Sequence, residues 1–483
     1  MIINKNLFLF MRPMESPGKY LKVETININN ATSKRFALAI TTLAAFLPPF
    51  GVSSVNIALP SIGKEFLMDA ILLSWVSTVY VLSSAIFLVP FGKIADIYGR
   101  KRIFTYGILA FTVASVGVGI SNSVVMLICF RILQGIGAAA IFCIGAAILT
   151  SLFPSCELGR VLGINVAAVY LGYSIGPFLG GYLTQYLGWR SILFVNVFLG
   201  SITIVFVFWR LKGEWYETDE KKFDLTGSII YSITLLLVMY GFSRLSTMLG
   251  VWLILLGALG FLIFIKWETK SGSPVLNISL FRENRVFAFF NLATLINYSA
   301  TFAVAFLLSL YLQYIKKLTP GNAGFILVSQ PIVQAFFSPI AGKLSDRIEP
   351  RIVASMGMTL TGVGLFMLAF LDEKTTVMFI TSSLIILGLG FALFSSPTIS
   401  AVMGSVESKF YGMASGTLGT MRAMGMVFSM GITLLIFSIY IGKVQITLEY
   451  YPVFLKCLKL AFAFFGALCF AGIFASLARS KVH

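Results

Sequence analysis

The sequence predicts an all-α polytopic membrane protein whose fourteen transmembrane helices divide six, two and six. Three observations carry this. Of 483 residues, 58% are hydrophobic and only 11% are charged. A soluble chain carries roughly 25% charged residues, so lipid must solvate most of this one. Windows of about twenty apolar residues, long enough to cross a bilayer, recur along the whole chain. The stretch "GKIAD" at 92–96 returns as "GKLSD" at 342–346, each time behind the second helix of a six-helix block. Halves related in this way mark transporters.

Residues 1–35 read as a polar, basic cytoplasmic tail, and "NLFLFM" within it is too short for a signal-peptide core. The first six-helix bundle, 36–210, holds apolar windows at 37–60, 70–91, 103–121, 123–152, 161–187 and 189–209. Pro48 and Pro49 interrupt the first of these and Asn196 the sixth. The longest polar stretches, 210–224 and 266–287, set off two linker helices within 211–285, at 224–243 and 250–267. The second bundle, 286–480, holds windows at 286–312, 321–341, 351–371, 375–404, 412–440 and 453–478. An even number of spans puts both termini on one side. Lys and Arg crowd into the tails and into the loops of that side, which places both ends in the cytoplasm of a cell-membrane protein.

A net charge of +17 on a soluble protein would suggest nucleic acid; here it reflects basic cytoplasmic loops, and nothing interleaves aromatics with bases. Cys129, Cys143, Cys156, Cys457 and Cys469 are odd in number and show no CxxC spacing, so buried packing is expected rather than disulfides or metal. The one histidine, His483, is the last residue, and no catalytic constellation is visible, so no enzyme is expected. All five Gly-Lys pairs lack a following Ser or Thr, which excludes a P-loop in this chain. A sensor would need a soluble output domain larger than these loops.

Within the loop "GKIADIYGRKRIF", Gly92 and Gly99 allow a tight turn, while Lys93, Arg100, Lys101 and Arg102 suit the inner face. Asp96 gains nothing from that rule. It is placed to pair with an arginine or to cap a neighbouring helix, latching the cytoplasmic side in one conformation. Arg131, in "RILQGIGAAA", lies about 12 Å into the fourth span, where a cation is costly and a functional candidate. Gln134 follows it, and Gly135 and Gly137 permit close helix approach. In "LGYSIGPFLGGYL", Gly172, Gly176 and Gly180 leave one bare face, Pro177 bends the helix and Gly181 widens the groove. No Asp or Glu falls in the middle third of any span. The interior instead holds Asn56, Asn291, Gln313, Gln330, Gln334, Arg131 and Arg422. Arg422, about 15 Å into its span, points away from the small-residue stripe Gly412, Gly416 and Thr420. The hypothesis is that it lines a cavity favouring anionic or polar neutral substrates.

The loop resembles the major facilitator superfamily signature "GxLaDrxGrkxxl", with Gly92, Asp96, Gly99, Arg100 and Arg102 on its marked positions. In the second copy Gly342, Asp346 and Arg347 remain, but Glu349 and Pro350 replace the Gly-Arg pair. The Arg131 segment is similar to the superfamily's helix 4 motif, whose arginine is implicated in proton movement. The Gly172–Gly181 segment resembles the "GxxxGPxxGG" motif of exporters. "VSSVNIALPSI" is similar to "LDxTIVNVALP" of fourteen-helix drug:proton antiporters of the EmrB/QacA type. Asn56, Ala58, Leu59 and Pro60 match it, while Gly51 stands at the acid's position. "FDLTG", "SPVLNISLFRENRVF", "YLQY" and "GMASGTLGTMR" look like this family in the same order, across 36–480.

The resemblance implies a major facilitator fold and proton-coupled export of drugs or other small amphiphilic molecules. Export or facilitated movement of an anionic or neutral metabolite without protons is the alternative. Asn56, Arg131, Gln134, Asn291, Gln330, Gln334 and Arg422 are the candidate pathway residues, and Asp346 joins the latch. The partners expected are a small-molecule substrate, protons and the lipid bilayer. No cofactor, no metal and no nucleic acid are expected, and a monomer is the expected state.

Overall fold

The computed structural model describes residues 31–211, 213–214, 224–245, 247–271, 278–345, 347–407 and 411–477. Their secondary structure is helical throughout: α1 (Ala31–Glu65), α2 (Ala70–Tyr98), α3 (Arg100–Gly119), α4 (Val124–Leu152), α5 (Ser155–Leu187), α6 (Arg190–Arg210), α7 (Leu225–Ser243), α8 (Met248–Glu268), α9 (Ile278–Glu283), α10 (Arg285–Thr301), α11 (Ala303–Leu310), α12 (Pro320–Leu327), α13 (Ser329–Ser345), α14 (Pro350–Leu368), α15 (Val377–Gly404), α16 (Tyr411–Tyr440) and α17 (Tyr451–Leu477). These form fourteen segments long and apolar enough to span a bilayer. The ninth joins α10, α11 and a π turn (Tyr311–Ile315), and the tenth joins α12 and α13.

Local chemistry sets where the spans begin. Asp69 accepts a hydrogen bond from Leu72 N (2.7 Å), Asp224 from Gly227 N (2.7 Å), Asn284 from Phe287 N (3.0 Å) and Thr376 from Phe379 N (3.3 Å). Each satisfies a backbone donor that the first helical turn leaves without a partner. Inside the spans, hydroxyls turn back on their own helix, as Thr41 does to Ala37 O (2.8 Å) and Ser74 to Ala70 O (2.9 Å). In lipid that is how a serine stays buried at little cost.

The two interrupted windows are nonetheless continuous helices. α1 runs unbroken through Pro48, Pro49 and Pro60, and α6 through Asn196. At Pro60 the neighbouring helix α11 supplies a donor to the freed carbonyl of Asn56. The break falls instead at Phe302 between α10 and α11, where Ser429 Oγ of α16 accepts from Ala303 N (3.0 Å).

The helices form two six-helix bundles with α7 and α8 as an added pair. α7 docks where the bundles meet: Tyr231 donates to Ala85 O of α2 (3.3 Å), and Ser438 of α16 donates to Ser243 O (3.2 Å). The pair is pinned at one end by Asp224, which also accepts from Trp267 Nε1 (3.0 Å) and Ser271 Oγ (2.7 Å). With an even number of spans, α1 begins and α17 ends on the same face, called here the terminal face; the other is the far face. The cysteine expectation needs a correction. Cys457 and Cys469 are buried, but Cys129 is exposed on the outside of α4; the side chain of Cys156 lies outside the described residues.

Candidate functional site

Near the far face the two bundles are closed on each other. Pro60 has no N–H to offer the carbonyl of Asn56, and Ser309 Oγ of α11 donates to it instead (2.8 Å). One residue along, Gln313 Nε2 donates to Ile57 O (2.8 Å). Gln185 Oε1 of α5 accepts from Gly321 N at the start of α12 (3.2 Å). The glycine face of α5 also serves close packing. A Cβ on Gly172 would lie 2.7 Å from Phe46 O, and one on Gly180 would lie 2.6 Å from Ser54 Cβ, both on α1. Gly176 likewise backs onto Ser53. Gly181 does not widen a groove, as the sequence had suggested. A Cβ there would run into Pro320 and Gly321 of α12, because α5 is held between α1 and the second bundle. Gly324 of α12 in turn backs onto Pro177 of α5.

In the first bundle Arg131 is fully buried. Its Nε donates to Val76 O (3.1 Å), and its Nη1 donates to Gln134 Oε1 (2.7 Å). Gln134 Nε2 donates on to Ser115 Oγ (2.8 Å). The guanidinium lies over the Tyr80 ring, 4.4 Å from its centroid, and Tyr80 donates to Pro48 O (3.3 Å). Glycines make this approach possible: Gly135 backs onto Tyr80 and Ser83 of α2, and a Cβ on Gly137 would lie 2.6 Å from Phe111 N of α3. Nη2 has no hydrogen-bond partner, and no acid pairs with Arg131 among the described residues. The arrangement holds a cation at depth through dipoles and a π face, with one donor to spare.

At the terminal face Asp96 Oδ1 receives Arg100 Nη2 (2.8 Å) and Nε (2.9 Å). Arg100 is itself buried; its Nη1 donates to Ala147 O near the end of α4 (3.0 Å) and to Ser151 Oγ. The expected acid–arginine bond therefore lies within one loop, and the arginine carries the contact across to α4. Gly99 takes φ 107°, in the region a side chain avoids. Beyond it stands a group that the sequence reading missed. Glu214, from the stretch after α6, accepts from Lys101 N (2.7 Å) at the first turn of α3 and lies 3.7 Å from Arg102 Nε. Gly92 comes close to α4, where a Cβ would lie 3.2 Å from Cys143 Sγ. Asp346, the second-half member of the latch, lies outside the described residues.

Midway between the faces, polar and aromatic side chains of both bundles converge. Tyr170 of α5 shares a hydrogen bond with Ser395 of α15 (2.7 Å). Tyr173, one turn on, is within electrostatic reach of Tyr170, of Tyr298 on α10 and of Arg422 on α16. Arg422 lies with Cζ 5.8 Å from the Tyr298 ring centre, and Tyr298 meets Phe391 edge-on at 5.3 Å. The three tyrosines were missed; a tyrosine far from the aromatic belts at a span's ends is the signal that could have found them.

The small-residue stripe needs a correction. A Cβ on Gly416 would meet nothing, and the side chain at Gly412 lies outside the described residues. The close approach is made instead by Gly425, which backs onto Leu295 O and Tyr298 Cβ at 2.6 and 2.7 Å. Of the remaining pathway candidates, Asn56 accepts from Ser77 Oγ (2.6 Å), which turns its side chain toward α2. Asn291 donates to Phe287 O of its own helix (2.8 Å). Gln334 is buried on α13 with Nε2 unpartnered, and Gln330, one turn earlier, is half-buried where α13 crosses Gly388 of α15. Gly51 faces Asn196, whose buried amide has no partner: a Cβ at 51 would lie 3.4 Å from Asn196 Nδ2. The position held by the family acid thus looks into the first bundle, not into the seam. Among the described residues no cluster of His, Cys, Asp or Glu could hold a metal.

A model of the Major Facilitator Superfamily matches residues 41–279 and 290–482. The chain is 30% identical over 392 residues to the riboflavin transporter RibZ of Clostridioides difficile (strain 630), covering 80% of this chain and 85% of that protein. It is 30% identical over 398 residues to the multidrug resistance protein Stp of Mycobacterium tuberculosis (strain CDC 1551 / Oshkosh), covering 80% of this chain and 73% of that one. Among solved structures, a POT family transporter bound to a thioalcohol-conjugated peptide superposes with a TM-score of 0.68. The two share 14% identity, with 90% of this chain and 94% of that chain covered.

Proposed function

The chain belongs to the major facilitator superfamily, and from that premise we propose that it is a proton-coupled exporter of drugs or other small amphiphilic molecules. The observation that carries the reading is the mid-membrane patch at the seam, to which both bundles contribute: Tyr170 and Tyr173 from one, Ser395, Tyr298 and Arg422 from the other. A solute there would be released as the bundles rock apart. Coupling is drawn from Arg131, a buried cation with a spare donor beside Tyr80. Export is drawn from the likeness to a multidrug resistance protein. Both termini are proposed to face the cytoplasm, so the closed far face looks outward, and the Asp96–Arg100 joint steadies the cytoplasmic side.

The test uses inside-out vesicles from cells lacking their own exporters, with ethidium, riboflavin and fluorescein as probes. Uptake of at least one probe should need a proton gradient, stop with an uncoupler and fail on ATP alone. Uptake that survives the uncoupler would favour the alternative, movement of an anionic or neutral metabolite without protons. Gly51, in place of the family acid, is the observation on that side.

A further inference from the structure

Arg422 occupies an unusual position for a cation at mid-depth. It is eleven residues into α16, about 16 Å from the helix start. Its Nε is buried and has no hydrogen-bond partner, and it forms no ion pair among the described residues. Arg131 at a similar depth is held by a carbonyl and an amide; no such bond holds Arg422. The residue is half-buried, so its charge is not sealed from water, but a cation at this depth still gains from a counter-ion. No carboxylate among the described residues supplies one, and the middle of each span holds neither Asp nor Glu.

The surroundings specify what such a counter-ion would carry. The guanidinium lies 5.8 Å from the Tyr298 ring, with Phe391 edge-on behind that ring, and Tyr173 of α5 is within electrostatic reach of both Arg422 and Tyr298. Hydroxyls of Tyr173 and Tyr298 have no hydrogen-bond partner among the described residues, so each can donate to an oxyanion or a ring heteroatom. Tyr170 is already committed to Ser395. The neighbourhood thus offers one fixed positive charge, free hydroxyl donors and π faces, but no acceptor of negative charge. A cation could use the π faces but would meet the fixed charge of Arg422 and no carboxylate; an aliphatic anion would leave the rings unused.

Resting on the transporter reading above, we propose that this patch is the substrate site and that it selects planar aromatic monoanions. The carboxylate or equivalent oxyanion pairs with Arg422, and the ring lies among Tyr173, Tyr298 and Phe391. Because these side chains come from both bundles, binding bridges the seam.

The test is equilibrium binding to the full chain in lipid nanodiscs with 1-naphthoate as the probe. Comparators are 1-naphthylmethylammonium (same ring, opposite charge), 1-naphthalenemethanol (same ring, no charge) and cyclohexanecarboxylate (same charge, no aromatic ring). The expected order puts 1-naphthoate first, each comparator being on the order of tenfold weaker or more. Arg422→Gln should abolish the preference for the anion over the alcohol. Tyr298→Phe should cost little, whereas Tyr298→Leu should abolish the preference for naphthoate over cyclohexanecarboxylate. The wild-type order alone decides the matter if a variant fails to fold. A cation bound as well as naphthoate, no naphthoate binding, or an unchanged preference in well-folded Arg422→Gln would overturn the proposal. Uptake driven by protons in the vesicle assay would then leave the transporter reading standing. Selective naphthoate binding with no probe moved in vesicles would keep this site and remove that reading.

Discussion

The turn that follows the second span, "GKIAD" in one bundle and "GKLSD" in the other, is built differently in its two copies. After Gly92 the chain turns on Gly99 at φ 107°, and α3 starts with Arg100 folded back on Asp96 and reaching α4. After Gly342 the residue in the glycine's register is Glu349, at φ −49°, and Pro350 opens α14 where Arg100 opens α3. A proline presets the first helical turn but contributes no charge. What remains is a Glu349–Arg351 pair, with Glu349 58% exposed against 25% for Asp96. Among the described residues the ionic joint is seen in only one bundle, since Asp346, the acid of the second copy, lies outside them. The same asymmetry holds deeper: α4 buries Arg131, whereas its counterpart α15 carries no charged residue.

Substitutions matched across the two bundles test this. The largest contrast is expected at the glycines. Gly180→Ala pushes a methyl to 2.6 Å from Ser54 Cβ and 2.7 Å from Ser54 Cα, with backbone on the far side. Overpacking of this kind costs about 1–3 kcal/mol, so thermal unfolding in detergent should shift down and transport should fall severalfold. Gly416→Ala in the second bundle meets nothing within 4 Å and should be neutral, or should stabilise by about 0.5–1 kcal/mol through helix propensity. Equal losses at both positions would mean that the glycine face of α5 has no special packing role.

Next in size is the joint itself. Asp96→Asn leaves the half-buried acceptor in place without its charge and should cost about 1.5–3 kcal/mol of the charge-assisted bond. The expected readout is normal insertion, slow transport and greater alkylation of cysteines introduced on the terminal side of the seam. Glu349→Gln breaks a solvent-screened pair worth about 0–1 kcal/mol and should leave both readouts near wild type. The asymmetry would be lost if the two substitutions behaved alike.

The smallest effect should come from Glu214. It caps the first turn of α3 through Lys101 N, a contact with no counterpart among the described residues at the start of α14. Glu214→Ala should lower stability by about 0.5–2 kcal/mol, read as a modest fall in melting temperature with transport largely retained. A loss as deep as that of Asp96→Asn would make Glu214 a full member of the joint.

Much of this was legible in the sequence, for local reasons. A span is a length of apolar residues, and length is a property of consecutive residues. A charged residue at depth, such as Arg131, is conspicuous because so few neighbours are polar. Glycines at every fourth position announce a bare helix face, and Asp96 with Arg100 at i,i+4 announces its own bond. What the sequence could not carry was the partner of each exposed feature. Pro48 and Pro49 interrupt the apolar pattern of the first span, but α1 continues through them, and at Pro60 the freed carbonyl of Asn56 is met by Ser309, 253 positions from it. Gly181 read as room, yet it meets α12. Arg422 could be placed in depth but not among tyrosines of α5 and α10. Glu214 sat in a stretch with no periodicity to mark it. Apolar length and helical period are fixed within a segment of about twenty residues, so composition alone determined the spans and their six-two-six division. Hydrogen-bond partners and seam contacts join segments hundreds of residues apart, and only the packing of the two bundles decided them.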